Sequence, residues 1–341
     1  MKCLVTGGAG YFGSILVSKL IEKGISCRIL DISNDHSFSD VEFIQGDIRD
    51  SSKVKLACKD VDVIFHNVAQ VPLAKNKSLF NSVNFLGTYN LLKIAEKSGV
   101  SNIVYTSSSA IFGVPNSLPV TLSSKPIPGE AYGLAKLKGE LLCQRFHDRG
   151  MNVSIIRPRT IMGHGRLGIF QILFDWIRQG QNIPVLGKGD NLFQFIHAED
   201  LAEVCILASK INGFNVYNCG TDRFGTMREV LDYLCEYAST GSKVVSVPKG
   251  LTLLGMRITS KMGLSPLGAY HSMMYGESFF FDIKKEITEL NWHPKFSNDE
   301  MFRQSYDWYL SNRKSLSSDK NISHHRSPLK QGVLKLVKKF I

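Results

Sequence analysis

The 341-residue sequence lacks the features of several large classes of protein. No apolar run approaches the ~18 residues that a membrane-spanning helix needs, so we expect no such helix. The residues Met1–Gly7 lead into a glycine-rich stretch before the core of a signal peptide could develop. Apolar residues make up 43% and charged residues 21% of the chain, which excludes wholesale disorder. The length suits one large or two moderate domains.

Paired cysteines are also absent. The seven cysteines are an odd number, are scattered along the chain and form no Cys-x-x-Cys pair. No histidine spacing matches a zinc or iron site. We therefore predict reduced thiols in a cytoplasmic protein, with no disulfide framework and no metal.

Positive charge is concentrated at the C-terminus. The formal net charge is +11, and residues 313–341 hold eight Lys and Arg residues against one acid, Asp319. The mild excess in the rest of the chain does not suggest nucleic acid as a partner. As a helix, 329–341 would gather its apolar side chains on one arc, as in helices that lie on the inner, anionic face of a membrane. A helix docked on the protein itself and a frayed, solvated end are the alternatives.

The first half of the chain alternates short β-branched runs with helical patterns, which predicts a parallel sheet with helices on both faces. The expected strands are Lys2–Thr6, Cys27–Asp31, Val41–Gln45, Val63–His66, Ile103–Ser107 and Val153–Arg157. Helical patterns lie near 11–23, 51–58, 78–98 and 131–149. This order predicts an α/β fold with a doubly wound parallel (Rossmann) sheet.

Three parts of the chain are expected. Residues 1–160 form the Rossmann domain, and 161–312 form a smaller α+β substrate lobe that is interwoven with it. Residues 313–341 form a basic linker and an amphipathic tail. In the lobe, helical patterns lie near 169–179, 199–209 and 226–238.

A glycine-rich turn follows the first expected strand and opens the first helix. Glycines at 7, 10 and 13 let the backbone turn tightly and approach a pyrophosphate, which then sits on the helix N-terminus. Asp31 ends the second strand, 18 residues after Gly13. A carboxylate there can accept hydrogen bonds from both adenosine ribose hydroxyls and repel a 2′-phosphate, which favours NAD over NADP. Asp47, after the third strand, is expected either to contact the adenine or to cap a helix.

The order of these motifs resembles the extended short-chain dehydrogenase/reductase family, which includes sugar epimerases and dehydratases. The further segments that carry the resemblance are His66–Ala69, Val83–Thr88, Tyr105–Gly113, Tyr132-x-x-x-Lys136, Arg157-Pro158, Phe195–Asp200 and Leu290–Pro294. Together they span nearly all of residues 1–312. The resemblance implies NAD as cofactor, with contacts from Gly7, Gly10, Tyr11, Phe12, Gly13, Asp31, Asp47, Ile48, Val68, Ala69 and Lys136.

The catalytic residues are expected on one helix and one strand end. Tyr132 and Lys136 lie one helical turn apart on one face, and the ammonium favours the phenolate that exchanges a proton with a substrate hydroxyl. The resemblance places the catalytic hydroxyl at Ser108, with Ser107 and Ser109 as alternatives. Asn84 matches a family position that orders a proton path, with a helix-capping Asn as the equal alternative.

Two departures from the family pattern narrow the reaction and the substrate. Ser109 and Ala110 stand where 4,6-dehydratases carry their acid and base, and the carboxylate of decarboxylases also falls on Ala110, so both reactions are disfavoured. Phe193 stands where nucleotide-sugar enzymes carry an Arg that clamps the diphosphate. Arg159, Arg166 and Lys188 are the candidates to replace it. The Asn-Leu-x-x-Phe form of 191–195 resembles members that act on membrane-embedded substrates.

The resemblance implies an NAD-dependent epimerase that transiently oxidises C4 of a nucleotide-linked or polyprenyl-diphosphate-linked sugar. A 3β-hydroxysteroid-like or other lipid-alcohol dehydrogenase is one alternative. A non-catalytic NAD-binding scaffold is another, which the intact Ser, Tyr and Lys set disfavours. We expect a small-molecule substrate and a homodimer.

Overall fold

The computed structural model describes residues 1–34, 38–71, 78–261, 274 and 276–314. The predicted interfacial helix at 329–341 and nearly all of the linker before it lie outside the described residues. Within the described ranges, no helix combines the length and the apolar character needed to cross a bilayer. All seven cysteines are buried free thiols.

A seven-stranded parallel sheet organises the first part of the molecule. Its strands are β1 (Lys2–Thr6), β2 (Ser26–Asp31), β3 (Glu42–Gln45), β4 (Val63–His66), β5 (Asn102–Thr106), β6 (Asn152–Pro158) and, much later in the chain, β10 (Phe214–Cys219). The spatial order is β10-β6-β5-β4-β1-β2-β3, and each neighbouring pair is parallel. The winding reverses at β1, between β2 and β4, and the crevice at this point is where doubly wound sheets bind ligands. The predicted Rossmann fold is confirmed.

Eleven helices are assigned among the described residues, and the sheet is buried on both faces. They are α1 (Tyr11–Glu22), α2 (Ser51–Ala57), α3 (Ser78–Asn81), α4 (Thr88–Lys97), α5 (Ala131–His147), α6 (Ile169–Arg178), α7 (Ala198–Ala208), α8 (Met227–Ala238), α9 (Lys249–Lys261), α10 (Lys284–Leu290) and α11 (Asn298–Asn312). Successive residues of β1 enter different cores: Cys3 and Val5 pack with α1 and α7, whereas Leu4 packs with α2, α4 and α5. This alternation is the period-two pattern of a strand buried on both sides.

Two features differ from the sequence prediction. The seventh strand, β10, is missed because it is an edge strand whose apolar run is interrupted by Asn215 and Asn218. The helical stretch expected over 78–98 is split by a π-helical segment, Ser82–Gly87, between α3 and α4. Such segments are rare and frequently accompany functional sites.

The second part of the molecule contains two short parallel strand pairs. They are β7 (Thr160–Met162) with β9 (Phe195–His197), and β8 (Ile183–Leu186) with β11 (Val244–Val247). Helices α6, α8 and α11 surround them in a core rich in aromatic residues. Because β10 and α7 return to the first sheet and its helices, the two parts are interwoven along the chain. The division at residue 160 stays a prediction.

Candidate active site

A cavity of about 830 Å³ lies between the carboxyl ends of the sheet strands and the second part of the molecule. All the predicted cofactor contacts line it: Gly7, Gly10, Tyr11, Phe12, Gly13, Asp31, Asp47, Ile48, Val68, Ala69 and Lys136. The predicted catalytic residues Ser108 and Tyr132 line it as well. The topology therefore brings these two sets of residues to one cavity.

The glycine turn has no room for a Cβ at Gly13 and requires a positive φ at Gly7. A Cβ on Gly13 would lie 2.0 Å from the carbonyl oxygen of Gly7, and Gly7 itself has a φ of +73°. Helix α1 begins at Tyr11, and its N-cap, Gly10, makes no side-chain capping hydrogen bond. The first N–H groups of an α-helix have no partner within the helix, and the helix dipole at this end favours an anion such as a pyrophosphate.

Asp31 is held against this turn at the end of β2. The Ala9 amide donates to its Oδ2 atom and the Ser33 amide to its Oδ1 atom, each at 3.0 Å. These bonds orient the carboxylate, whose oxygens are hydrogen-bond acceptors of the kind that a ribose hydroxyl needs. The uncapped helix and the oriented carboxylate together fit a dinucleotide.

Asp47 lines the cavity at the end of β3, next to the buried Ile48. Its Oδ1 atom accepts hydrogen bonds from the amide and the Nε atom of Arg49, at 2.8 and 2.9 Å. The Arg49 side chain lowers the pKa of Asp47. The helix-capping alternative is wrong, because Asp50 caps α2. The adenine contact stays a prediction.

Lys136 and Tyr132 project from α5. Lys136 is 2% exposed, and its ammonium donates to the Thr106 carbonyl at 2.6 Å. Burial lowers the pKa of Lys136 to about 7. Glu130 caps α5 and accepts from the Tyr132 amide at 2.7 Å, which fixes the backbone of Tyr132. The Tyr132 ring packs edge-on against Phe80, with centroids 6.1 Å apart.

The three consecutive serines have different partners. Ser107 donates to Glu140 at 2.6 Å, and Ser109 accepts from Arg159 at 3.0 Å. Ser108 accepts from the Ala110 amide at 3.1 Å. Across the described ranges, only Ser107 of the three donates its hydroxyl hydrogen to a protein acceptor, so the geometry disfavours Ser107 and leaves Ser108 and Ser109 as possible donors to a substrate.

Glu140, which lies one turn after Lys136 on α5, is not among the residues predicted from the sequence. Arg157 forms a buried two-point ion pair with it, at 2.9 and 2.6 Å. The Glu140 carboxylate also raises the pKa of Lys136, against the larger opposite effect of burial. The spacing 132, 136, 140 on one helical face was the signal that could have revealed it.

Asn84 lies inside the π-helical segment and behind the cavity wall. Its Oδ1 atom accepts from the amide of Gln70 at 2.7 Å, and its Nδ2 atom donates to the carbonyl of Gln70 at 2.9 Å. The helix-capping alternative is therefore wrong. Gln70 lines the cavity, so Asn84 positions the cavity wall; a role in a proton path stays a prediction.

Two of the three candidate cations line the cavity. Arg159 is buried, and its guanidinium carbon lies 4.6 Å from the ring centroid of Phe193 and 3.9 Å from that of Phe279. The guanidinium of Arg159 therefore lies against the ring of Phe193, the residue that stands in place of the diphosphate-binding Arg of nucleotide-sugar enzymes. Arg166 also lines the cavity, whereas Lys188 is exposed and lies elsewhere.

His66 is part of the framework behind the glycine turn. Its ring is hydrogen-bonded to the Thr6 and Thr88 hydroxyls, at 2.7 and 2.9 Å. Burial lowers its pKa to about 3, so it is neutral at physiological pH. Among the described residues, no group of three or more His, Cys, Asp or Glu side chains is placed to hold a metal ion.

The sequence of the chain is similar to those of known proteins. A protein of Sinorhizobium fredii named as uncharacterized, y4nG, is 49% identical over 98% of this chain and 85% of its own length. A putative UDP-glucose 4-epimerase of Methanocaldococcus jannaschii is 28% identical over 92% of this chain and 99% of its own. The decarboxylating sterol-4-alpha-carboxylate 3-dehydrogenase of Mus musculus is 31% identical over 61% of this chain and 59% of its own.

Among solved structures, the UDP-glucose 4-epimerase of Thermotoga maritima with UDP-glucose has a TM-score of 0.77 at 23% identity. The match covers 93% of this chain and 100% of the Thermotoga maritima chain, and this similarity supports the fold. Residues 3–220 match the sequence model of the NAD dependent epimerase/dehydratase family. The predicted cofactor, NAD, is thereby confirmed. The chain belongs to the NAD dependent epimerase/dehydratase family and is an enzyme of the extended short-chain dehydrogenase type.

Proposed function

We propose that the protein catalyses the NAD-dependent 4-epimerisation of a sugar that is carried on a diphosphate. One observation supports this most: Ser108, Tyr132 and Lys136 line the same cavity as the glycine turn and Asp31. The carrier is either a nucleotide or a polyprenyl chain.

The cofactor and the protein divide the chemistry. The glycine turn, Asp31 and Lys136 would hold NAD, which supplies reversible hydride transfer when bound. Tyr132, as phenolate, accepts the proton of the substrate hydroxyl and later returns it. The charge of Lys136 on the same face of α5 stabilises the phenolate. Ser108 donates a hydrogen bond to the substrate oxygen while it is a carbonyl.

The neighbouring residues favour epimerisation over elimination. Ala110 has no group that transfers a proton, and the Ser109 hydroxyl is bonded to Arg159. Removal of water from the sugar needs an acid and a base at these two positions. The chemistry therefore stops at oxidation and reduction of one carbinol carbon.

A lipid-alcohol dehydrogenase is the second candidate. It is favoured by the apolar residues in the outer part of the cavity, such as Leu173, Trp176 and Leu231. The sterol dehydrogenase relative points the same way, over the part of the chain that it matches.

The behaviour of the cofactor separates the two candidates. Purified protein is assayed for bound NAD and then incubated with UDP-glucose and with a farnesyl-diphosphate-linked glucose, while NADH absorbance and the 4-epimer are followed. An epimerase retains NAD through purification and forms the epimer without stoichiometric NADH. Release of one NADH per product molecule would refute the epimerase.

Two further proposals concern assembly. We propose that 329–341 binds an anionic membrane surface and that the enzyme is a homodimer. The first is supported by the sequence pattern of the tail and the second by the family resemblance.

A further inference from the structure

The outer part of the cavity is built from apolar side chains. From residue 169 onward, every described residue that lines the cavity is aliphatic or aromatic. We call this region the apolar chamber: Ile169, Phe170, Ile172, Leu173, Trp176, Ile183, Pro184, Phe193, Phe195, Met227, Leu231 and Met274. These side chains include one N–H donor, on Trp176, and no oxygen atom.

Three elements form most of this chamber. Helix α6 contributes Ile169, Ile172, Leu173 and Trp176, which follow one helical face. The start of β8 and the face of α8 that carries Met227 and Leu231 complete it. Buried uracil carbonyl and N–H groups require hydrogen-bond partners, which these side chains do not supply. A hydrocarbon chain gains from burial here, by roughly fourfold in affinity per methylene.

Arg166 lies between this chamber and the glycine turn. Its guanidinium carbon is 5.5 Å from the ring centroid of Tyr11, in the turn, and 5.7 Å from that of Phe170, in the chamber. Arg166 is 8% exposed, and its Nε atom donates to the Ile161 carbonyl at 3.2 Å. Its Nη1 atom is buried and has no hydrogen-bond partner in the part of the chain that the structure describes.

The Arg166 side chain keeps its charge in this environment. Burial lowers its pKa to about 10, which leaves the guanidinium protonated at neutral pH. The titratable groups that influence this pKa are the phenols of Tyr11 and Tyr132. A buried cation with a spare N–H donor, in the wall of a cavity, is suited to an anionic ligand group.

We propose that the substrate is an anionic amphiphile, whose phosphate or carboxylate group binds Arg166 and whose hydrocarbon chain fills the apolar chamber. The inference rests on the proposed function for the position of the reacting alcohol. Within that function, it selects a lipid diphosphate over a nucleoside diphosphate as the carrier of the sugar.

The affinities of prenyl and nucleotide probes test the proposal without a measurement of turnover. NAD-loaded full-length protein is titrated by calorimetry with farnesyl diphosphate, geranyl diphosphate, farnesol and UDP. We expect farnesyl diphosphate to bind tightest, geranyl diphosphate less tightly because its chain is shorter, and UDP weakest. Tighter binding of UDP than of farnesyl diphosphate, or no effect of chain length, would overturn the proposal.

Variants of Arg166 show whether this side chain binds the anionic group of the substrate or the dinucleotide. Arg166→Met should weaken farnesyl diphosphate binding by roughly 10- to 100-fold and leave farnesol binding unchanged. Lys188→Met, which removes the same charge outside the cavity, is the matched control. NAD affinity, measured by the same titration, should not change. If NAD affinity falls and diphosphate affinity does not, Arg166 serves the dinucleotide and the proposal is wrong.

Variants of Met227 test whether the hydrocarbon chain of the ligand binds in the apolar chamber. Met227→Gln keeps the side-chain length and adds an amide, and should reduce the gain from geranyl to farnesyl diphosphate; Met227→Leu should preserve it. An unchanged gain in Met227→Gln contradicts the assignment of the chain to the chamber. Epimerisation of a UDP-sugar with no binding of prenyl probes would refute this inference alone. Tight prenyl binding without turnover of any alcohol would refute the proposed function alone.

Discussion

The part of the cavity that we assign to NAD (the cofactor part) and the part that we propose for the substrate (the substrate part) are built by different means. The cofactor part uses backbone and charge: the Gly7–Gly13 turn, the uncapped start of α1 and the oriented Asp31. The substrate part uses apolar side chains from α6, β8 and α8. A dinucleotide has a fixed shape and charge, so a few backbone positions at strand ends recognise it. A hydrocarbon group is recognised by shape and burial alone, which many residue combinations satisfy.

This difference predicts different sensitivity to substitution. A Cβ added in the turn meets backbone, which cannot move aside, whereas volume-conserving changes in an apolar wall usually cost below about 1.5 kcal/mol. The reactive groups between the two parts should be the most sensitive of all, because they act on individual protons.

The largest effect is expected at that junction. Tyr132→Phe removes the hydroxyl that we propose to exchange a proton with the substrate, and it should lower kcat by at least roughly 10³-fold. Because the ring is kept, NAD binding and thermal stability should match the wild type. Steady-state kinetics and NAD titration measure both. Retained turnover in Tyr132→Phe would assign the proton transfer to another group.

In the cofactor part, Gly13→Ala should be severe. Its Cβ would lie 2.0 Å from the Gly7 carbonyl oxygen, so we expect a loss of more than about 3 kcal/mol in stability or NAD binding. Gly24→Ala is the control: it has a φ of +69° and open space around the Cβ, and should cost about 1 kcal/mol with NAD affinity intact. Urea unfolding and NAD titration compare the two. Equal effects would show that close approach in the turn is not the cause.

The third prediction concerns membrane binding by the C-terminal tail, residues 329–341. If the substrate part takes lipid-borne molecules, the enzyme should bind anionic vesicles. Deletion of 314–341 should abolish that binding, and replacement of Lys335, Lys338 and Lys339 by Gln should weaken it by about 1 kcal/mol per residue. Vesicle sedimentation at low and high salt measures the effect. Unchanged sedimentation of the deletion variant would remove the case for an anchor.

The contribution of His66, behind the glycine turn, to the free energy of unfolding should depend on pH. The folded pKa of His66, about 3, lies below its ordinary value of 6.5. The stability from the neutral, buried ring is complete above pH 6.5 and is lost as the pH falls, by about 1.4 kcal/mol per pH unit. In urea unfolding, the advantage of the wild type over His66→Gln should therefore shrink by about 2 kcal/mol between pH 7 and pH 5. A constant advantage would mean that folding does not lower the pKa of His66.

The smallest effect is expected for cofactor choice. Asp31→Ala should raise the affinity for NADP relative to NAD by roughly tenfold, since a repelling charge and two ribose hydrogen bonds are lost. Asp31→Asn keeps the size of the side chain and removes its charge. It should improve NADP binding with a smaller loss of NAD binding. An unchanged cofactor ratio in both variants would place the ribose elsewhere.

The sequence predicted the cofactor part far better than the substrate part. Six of the sheet strands, the glycine turn and Asp31 follow from local patterns, because each involves residues close together in the chain. Ser108 was singled out by motif spacing, but the distinction from Ser107 depends on a bond to Glu140, which is 33 residues away from Ser107. The edge strand β10 escaped prediction because its pairing with β6 is a tertiary contact.

The amino-acid sequence by itself determined the parallel sheet, the dinucleotide turn and the Tyr132-Lys136 pair, since strand alternation, glycine conformation and helical spacing are properties of short segments. Only the tertiary structure decided that Arg159 stacks on Phe193, that Asn84 holds Gln70 and that α6, β8 and α8 enclose an apolar chamber. These contacts join segments that are distant in the chain. No local pattern specifies how such segments pack, because each contact depends on side chains from two or more segments that are distant in the sequence.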